Sequence, residues 1–195
     1  MWDVRYSTAE YVYGTEPNEF LVSVADQIPK GRVLSLAEGE GRNGVYLAGL
    51  GYKVLGIDSS AVGLGKAQRL AEERGVTLET QVADLADFQI KPNSWDAIIS
   101  IFCHLPSGIR SSVHHRVVAG LRPGGVLVLE AYTPEQLLLK TGGPPTADLT
   151  MNLTVLRKEL EGLRFTHARE LEREVVEGKF HTGRGAVVQV VAVKP

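Results

Sequence analysis

The chain has 195 residues, 44% apolar and 23% charged, with a formal net charge of -2. That is the make-up of one globular domain with a real core, without the basic excess of a nucleic-acid binder. Its one cysteine excludes an internal disulfide framework, and no apolar run reaches the length of a membrane span. Residues 1–5 lack the apolar core of a signal peptide, so the cytoplasm is the expected compartment.

Residues 1–28 are expected to form an N-terminal segment, rich in aromatic side chains (Trp2, Tyr6, Tyr11, Tyr13) and followed by a helix over 19–27. Aromatic faces suit a cation, so the segment reads as a lid over a ligand; the plainer alternative is terminal packing. Next comes the most informative stretch. The apolar run Val33-Leu34-Ser35-Leu36 leads into Glu38-Gly39-Glu40-Gly41-Arg42-Asn43-Gly44, and a helical pattern follows. A strand, a glycine turn and a helix N-terminus form a nucleotide-type binding site. The spacing fits G-x-G-x-x-G, a weak signal alone, and a plain strand-to-helix turn is the alternative. The glutamates sharpen it. A pyrophosphate beside them would meet repulsion of about 1–4 kcal/mol per close pair. A ligand that is cationic near the loop, such as S-adenosylmethionine (SAM), is favoured instead, with Glu38 the preferred contact.

A second strand over 52–58 ends in Asp58, where a carboxylate can accept from ribose hydroxyls. Capping of the next helix by Asp58, Ser59 or Ser60 is the alternative. That helix is predicted over 61–74, with Gly75 as its stop. A third strand over 76–82 precedes Asp84, placed to accept from an exocyclic amine, and Leu85, placed to pack on a base. Residues 95–102 read as a buried strand, 110–121 as a helix, 122–125 as a turn and 126–132 as another buried strand. A loop at 141–145 and a helix over 153–161 follow. Two strands, 165–176 and 186–193, are expected to pair antiparallel across a connection at 178–185. The fold class is therefore α/β in three layers: a mostly parallel sheet covered on both faces, closed by a C-terminal antiparallel hairpin, as one domain over 1–195.

The loop 34–44 with Asp58, Asp84, the run 95–102 and Arg122-Pro123-Gly124-Gly125 resemble the class I, Rossmann-like SAM-dependent methyltransferases. Cys103-His104-Leu105-Pro106, Glu130-Ala131-Tyr132 and Gly183-Arg184-Gly185-Ala186 resemble its small tellurite-resistance, TehB-like branch. The resemblance implies a seven-stranded sheet whose last strand lies antiparallel beside the fifth, and SAM as cofactor. It also implies that Glu38, Gly39 and Gly41 line the methionine end, Asp58 the ribose, and Asp84 with Leu85 the adenine, with Glu40, Asn43 and Ser59 as further cofactor-binding residues. The family's commoner loop carries its acidic residue two before the first glycine; here Ala37 stands there and Glu38 follows.

Methyl transfer is an in-line displacement in which alignment and shielding do most of the work. The acceptor is expected beyond the fourth strand. His104 is the candidate base there, with Phe102, Cys103, Glu130, Tyr132 and Tyr13 as substrate-facing candidates and residues 133–150 as a second cover. A metal site is not expected, because His114/His115 and Cys103/His104 are adjacent pairs without ligand spacing. The charged run 169–174 reads as an exposed strand. The expected partner is a small-molecule acceptor (tellurite, selenite, a thiol, a halide or a metabolite), not nucleic acid or membrane. Two rivals remain: an NAD(P)-dependent oxidoreductase and a SAM-binding module without catalysis.

Overall fold

The computed structural model describes residues 2–178 and 181–195. Its strands are β1 (Arg32–Leu36), β2 (Lys53–Asp58), β3 (Glu79–Val82), β4 (Trp95–Ile101), β5 (Leu121–Tyr132), β6 (Arg164–Glu177) and β7 (His181–Val193). The helices are α1 (Trp2–Tyr6), α2 (Glu19–Val24), α3 (Arg42–Gly49), α4 (Ala61–Glu73), α5 (Ser107–Gly120), α6 (Gln136–Leu139) and α7 (Leu153–Glu159).

The strands form one seven-stranded sheet in the order β3-β2-β1-β4-β5-β7-β6. The β1–β2, β1–β4, β2–β3 and β4–β5 pairs are parallel, and β7 runs antiparallel between β5 and β6. The chain reverses its direction of travel across the sheet between β1 and β4. That switch point opens the crevice where such folds place a ligand.

Period-two alternation sends neighbouring residues to opposite faces, and here both faces are dry. Leu34, Ile98, Leu127 and Val190 pack towards Val113, Val117, Leu156 and Leu160. Val33, Ala97, Val128 and Val191 pack towards Leu21, Leu47, Ala67 and Leu70. Burying both faces is what makes β1, β4 and β5 read as continuous apolar runs. The helices around the site are capped as their sequence suggests. Ser60 accepts from the Gly63 amide at 3.0 Å, and Gly75 ends α4 at φ +66 with Val76 N–H reaching Ala71.

Three expectations need correction. The first helix comes earlier than 19–27: residues 2–6 are helical, and Asp3 accepts from the Ser60 hydroxyl and the Val62 amide, which anchors that turn on α4. The turn at 122–125 lies inside β5 rather than before it: Leu121 pairs with Trp95 and Val126 with Ala97, so these four residues bulge out of the ladder. Gly124 and Gly125 exchange backbone bonds with Lys194, Gly124 at φ +79. The connection expected at 178–185 is mostly strand: Val175 faces Gly183 and Glu177 faces His181. Of that span, residues 179–180 lie outside the described residues. Gly185 suits the ladder because a Cβ there would lie 2.8 Å from Val175 Cγ2. Among the described residues no helix is long and apolar enough to cross a membrane.

Candidate functional site

The loop after β1 is shaped by positive φ angles at Ala37 (50°), Gly39 (62°) and Gly41 (95°). Only glycine adopts this region cheaply, so Ala37 carries strain at the ligand edge of the sheet. Gly41 has a second reason: a Cβ there would sit 2.6 Å from the Ala67 backbone, so α4 packs directly on the turn. Across the crevice, Asp58 closes the loop onto β2. Its Oδ2 accepts from Gly39 N–H at 2.9 Å and its Oδ1 from Ser60 N–H at 2.8 Å. Burial raises the Asp58 pKa against these amides. Ser59 beside it is exposed. Asp84 stands on the same rim, since Ala83 N–H bonds the Asp58 carbonyl. Its carboxylate is exposed and turns back to the Ala86 amide at 2.8 Å, while Leu85 is buried in the core beneath.

The two loop glutamates do not present the pair of charges expected of them. Glu38 lies under the loop: Oε1 accepts from Gly44 N–H at 2.7 Å, and a Cβ on Gly56 would fall 2.8 Å from its Cγ. Its Oε2 is buried without a partner. Burial pushes this carboxyl up to about 7, against pulls from Ser35 and the Gly44 amide. Glu40 faces the N-terminal segment. Oε1 pairs with Lys66 Nζ at 2.6 Å, both side chains buried, and Oε2 accepts from the amides of Val12 and Tyr13. Asn43 is also engaged, its Oδ1 accepting from Asn18 N–H at 2.9 Å. Desolvation makes one carboxyl reluctant to ionise and an ammonium neutralises the other, so the charge argument falls to Asp58.

Residues 2–13 lie over this loop. Tyr6 sits against Gly39 and Gly63, where a Cβ would meet its hydroxyl and its ring respectively, at 2.8 Å in each case. Trp2 stacks on Tyr6 at 5.6 Å, and Tyr13 meets Tyr6 edge-on at 6.3 Å.

Beyond β4 the chain kinks at Phe102, φ 50°, and brings three rings together. His104 stacks on Tyr132 with centroids 5.6 Å apart and planes 12° apart, and Phe102 lies 4.7 Å from Tyr132. His104 Nδ1 is 2.8 Å from the Leu149 carbonyl, which can only accept, so Nδ1 carries the proton. Nε2 is buried without a partner. Burial lowers this imidazole to about 4, with Arg110 adding to the effect and the Leu149 carbonyl opposing it. Burial also raises the Tyr132 phenol above its ordinary range, with Glu177 next in effect.

Two substrate-facing candidates are turned elsewhere. Cys103 points into the core, and burial pushes its thiol up to about 12. Glu130 is fully buried with both oxygens taken by Arg173, Gln189 and Asn18. It belongs to a network that sequence reasoning missed. Glu177 receives Asn18 at 2.7 Å, Arg173 at 3.2 Å and Arg42 at 2.5 Å. The signal was period two: Arg173, inside the run 169–174 read as exposed, shares a face of β6 with buried Val175 and Glu177 just beyond it. Arg110 was missed as well. It grips Glu159 and the carbonyls of Asp148 and Thr150, fixing the turn whose Leu149 carbonyl holds His104.

Residues 33–125 match the family described as "Methyltransferase domain". The chain has the Rossmann-like methyltransferase fold, and the match takes in its glycine loop, Asp58 and Asp84. TehB from Haemophilus influenzae has the same methyltransferase fold, at TM-score 0.76 and 20% identity, over 100% of this chain and 66% of its own. Among curated methyltransferases, the 2-heptyl-1-hydroxyquinolin-4(1H)-one methyltransferase of Mycobacteroides abscessus is 31% identical over 113 residues, 54% of this chain and 50% of its own. A tRNA (uracil(54)-C(5))-methyltransferase of Pyrococcus horikoshii is 30% identical over 122 residues, 50% of this chain and 30% of its own. The methyltransferase domain thus spans half or less of the length of these two curated relatives.

Proposed function

We propose that this protein is a SAM-dependent methyltransferase acting on a small-molecule acceptor, with Asp58 as the ribose contact. One observation carries the reading: Asp58 sits at the carboxyl end of β2, beside the switch point, bonded across to the bare backbone of Gly39. A carboxylate there can accept from two adjacent hydroxyls, and a glycine with positive φ lets a ligand approach the main chain closely. Ser59 stands next to the ribose position, and Asp84 with Leu85 offers an acceptor and an apolar wall for adenine. The methionine end would lie along Gly39 and Gly41. Bound there, SAM supplies a methyl group on a sulfonium, already an activated leaving group. The chain contributes alignment, and the aromatic residues 2–13 contribute shielding from water. Acceptors open to this site include thiols and other small nucleophiles.

The case against a nicotinamide dinucleotide changes its footing. Loop charge no longer excludes it, since Glu40 is neutralised by Lys66. The sheet favours SAM instead, because its antiparallel β7 between β5 and β6 is the arrangement of the methyltransferase fold. Calorimetric titration with SAM, S-adenosylhomocysteine and NADH tests the reading. The adenosyl compounds should bind and NADH should not. Asp58→Ala should weaken SAM by about 1.5–3 kcal/mol, the range for hydrogen bonds to a charged group. Unchanged affinity in that variant overturns the ribose assignment. SAM binding with no methyl transferred to any acceptor would favour the non-catalytic module.

A further inference from the structure

We infer that the methyl acceptor is a neutral nucleophile on an apolar or aromatic body, whose own S–H, O–H or N–H donates a hydrogen bond to Nε2 of His104. This rests on the methyltransferase reading and narrows it to one chemical class.

The first ground is the orphaned lone pair. Nδ1–H is committed to the Leu149 carbonyl, so Nε2 is an acceptor, and it is buried with nothing to accept from. Leaving such an atom unsatisfied is costly, and a donor brought by a ligand relieves the cost. The second ground is the company it keeps. Phe102 and Tyr132 lie against the imidazole, and Gly143 and Gly185 pack on Tyr132 where a Cβ would crowd it at 3.0 and 3.2 Å. Aromatic neighbours of this kind suit a ring or hydrocarbon rather than a hydrated ion. The third ground is charge. Among the described residues, buried Arg42, Lys66 and Arg110 and nearly buried Arg173 each face a glutamate of low exposure: Glu177, Glu40, Glu159 and Glu130. An oxyanion such as tellurite would find these four cations already paired. His104 does not supply another, because burial keeps it neutral far below physiological pH. The groups that bear on its ring are Arg110 from α5, itself paired with Glu159 of α7, and Tyr132 from β5.

In the transfer, a lone pair on the acceptor atom forms the bond to the methyl carbon. The carbon–sulfur bond breaks and its electron pair stays on sulfur, leaving S-adenosylhomocysteine. The acceptor atom becomes positive and sheds its proton along the hydrogen bond to Nε2. An imidazole with so low a pKa passes that proton on to water and does not keep it.

The test compares acceptor classes with radiolabelled SAM, using benzyl mercaptan and para-cresol as neutral probes and tellurite and selenite as oxyanions. A neutral probe should be methylated with the higher kcat/KM. Its pH profile should show no step near pH 6.5, where an ordinary imidazole would titrate. His104→Phe keeps the ring and removes the acceptor atom; it should raise KM for that probe about tenfold while SAM affinity stays put. His104→Gln, which restores an acceptor oxygen, should recover part of the loss. The proposal is overturned if an oxyanion is the better substrate, or if His104→Phe leaves KM unchanged. It is also overturned if SAM binds yet neither neutral probe binds or reacts. Failure of SAM itself to bind would instead remove the methyltransferase reading. The wild-type comparison of acceptors needs no variant to fold.

Discussion

Glu38 sits beneath the glycine loop with one oxygen on the Gly44 amide and the other without a partner. Its pKa rises from 4.5 to about 7, chiefly by burial, so the native state holds a proton that the unfolded chain has released. The sign follows from linkage. Stability is full below about pH 4.5, falls as pH climbs towards 7, and stays lower above it, a loss on the order of 3 kcal/mol. Glu38→Gln keeps an acceptor for the Gly44 amide and removes the ionisation. Urea unfolding at pH 5 and pH 8 should show wild type losing stability between the two and the variant nearly flat. Equal pH dependence in both would place the titrating group elsewhere. A neutral or half-ionised Glu38 also explains why counting carboxylates in the loop overstated its charge. Residue types are visible in a sequence, but the side on which a loop side chain is desolvated depends on neighbours such as Gly56 and Leu78, far along the chain.

At the scale of elements, the N-terminal segment is held by a few polar links. Glu40 receives the Val12 and Tyr13 amides, Lys66 Nζ bonds the Glu10 carbonyl at 2.6 Å, and Asp3 holds Ser60. The pair at its centre is buried, so removing one partner leaves an uncompensated charge, typically a cost of about 3–5 kcal/mol. Here most of that cost can be escaped by local opening, because α1 is short and ends on a few contacts. Glu40→Gln should therefore speed amide exchange across residues 2–13 while the β1, β4 and β5 amides keep their protection. Uniform loss of protection would mean that the segment is integral to the fold. The elements themselves differed in legibility for physical reasons. β1, β4, β5 and the helix after Ser60 carry strong patterns, because doubly buried strands and a capped helix leave marks in local sequence. The start of β7 did not, because Gly183 and Gly185 read as a turn. They are held extended by pairing with β6, a tertiary effect that overrides their propensity.

At the scale of the whole molecule, one buried polar network joins parts remote in sequence. Asn18 leads α2, Arg42 opens α3, Glu130 lies on β5, Gln189 on β7, and Arg173 and Glu177 on β6. It ties the glycine loop's helix to the C-terminal hairpin, so the two ends of the chain share one set of charges. It also marks the limit of reading the site from sequence: nothing local to Asn18, Arg173 or Glu177 pairs them with Glu130 until the sheet brings β6 and β5 to either side of β7. Arg173 is the hub, bonding Glu130 through two nitrogens at 2.9 and 2.8 Å and Glu177 at 3.2 Å. Arg173→Met would strand Glu130, whose side chain is fully buried, and should cost about 3–5 kcal/mol. Adding Glu130→Gln removes the stranded charge, so the double variant should be more stable than Arg173→Met alone. Denaturant midpoints for the two singles and the double give the coupling directly. Strict additivity would show that Arg173 acts through packing alone and that the two halves of the molecule are not joined by charge.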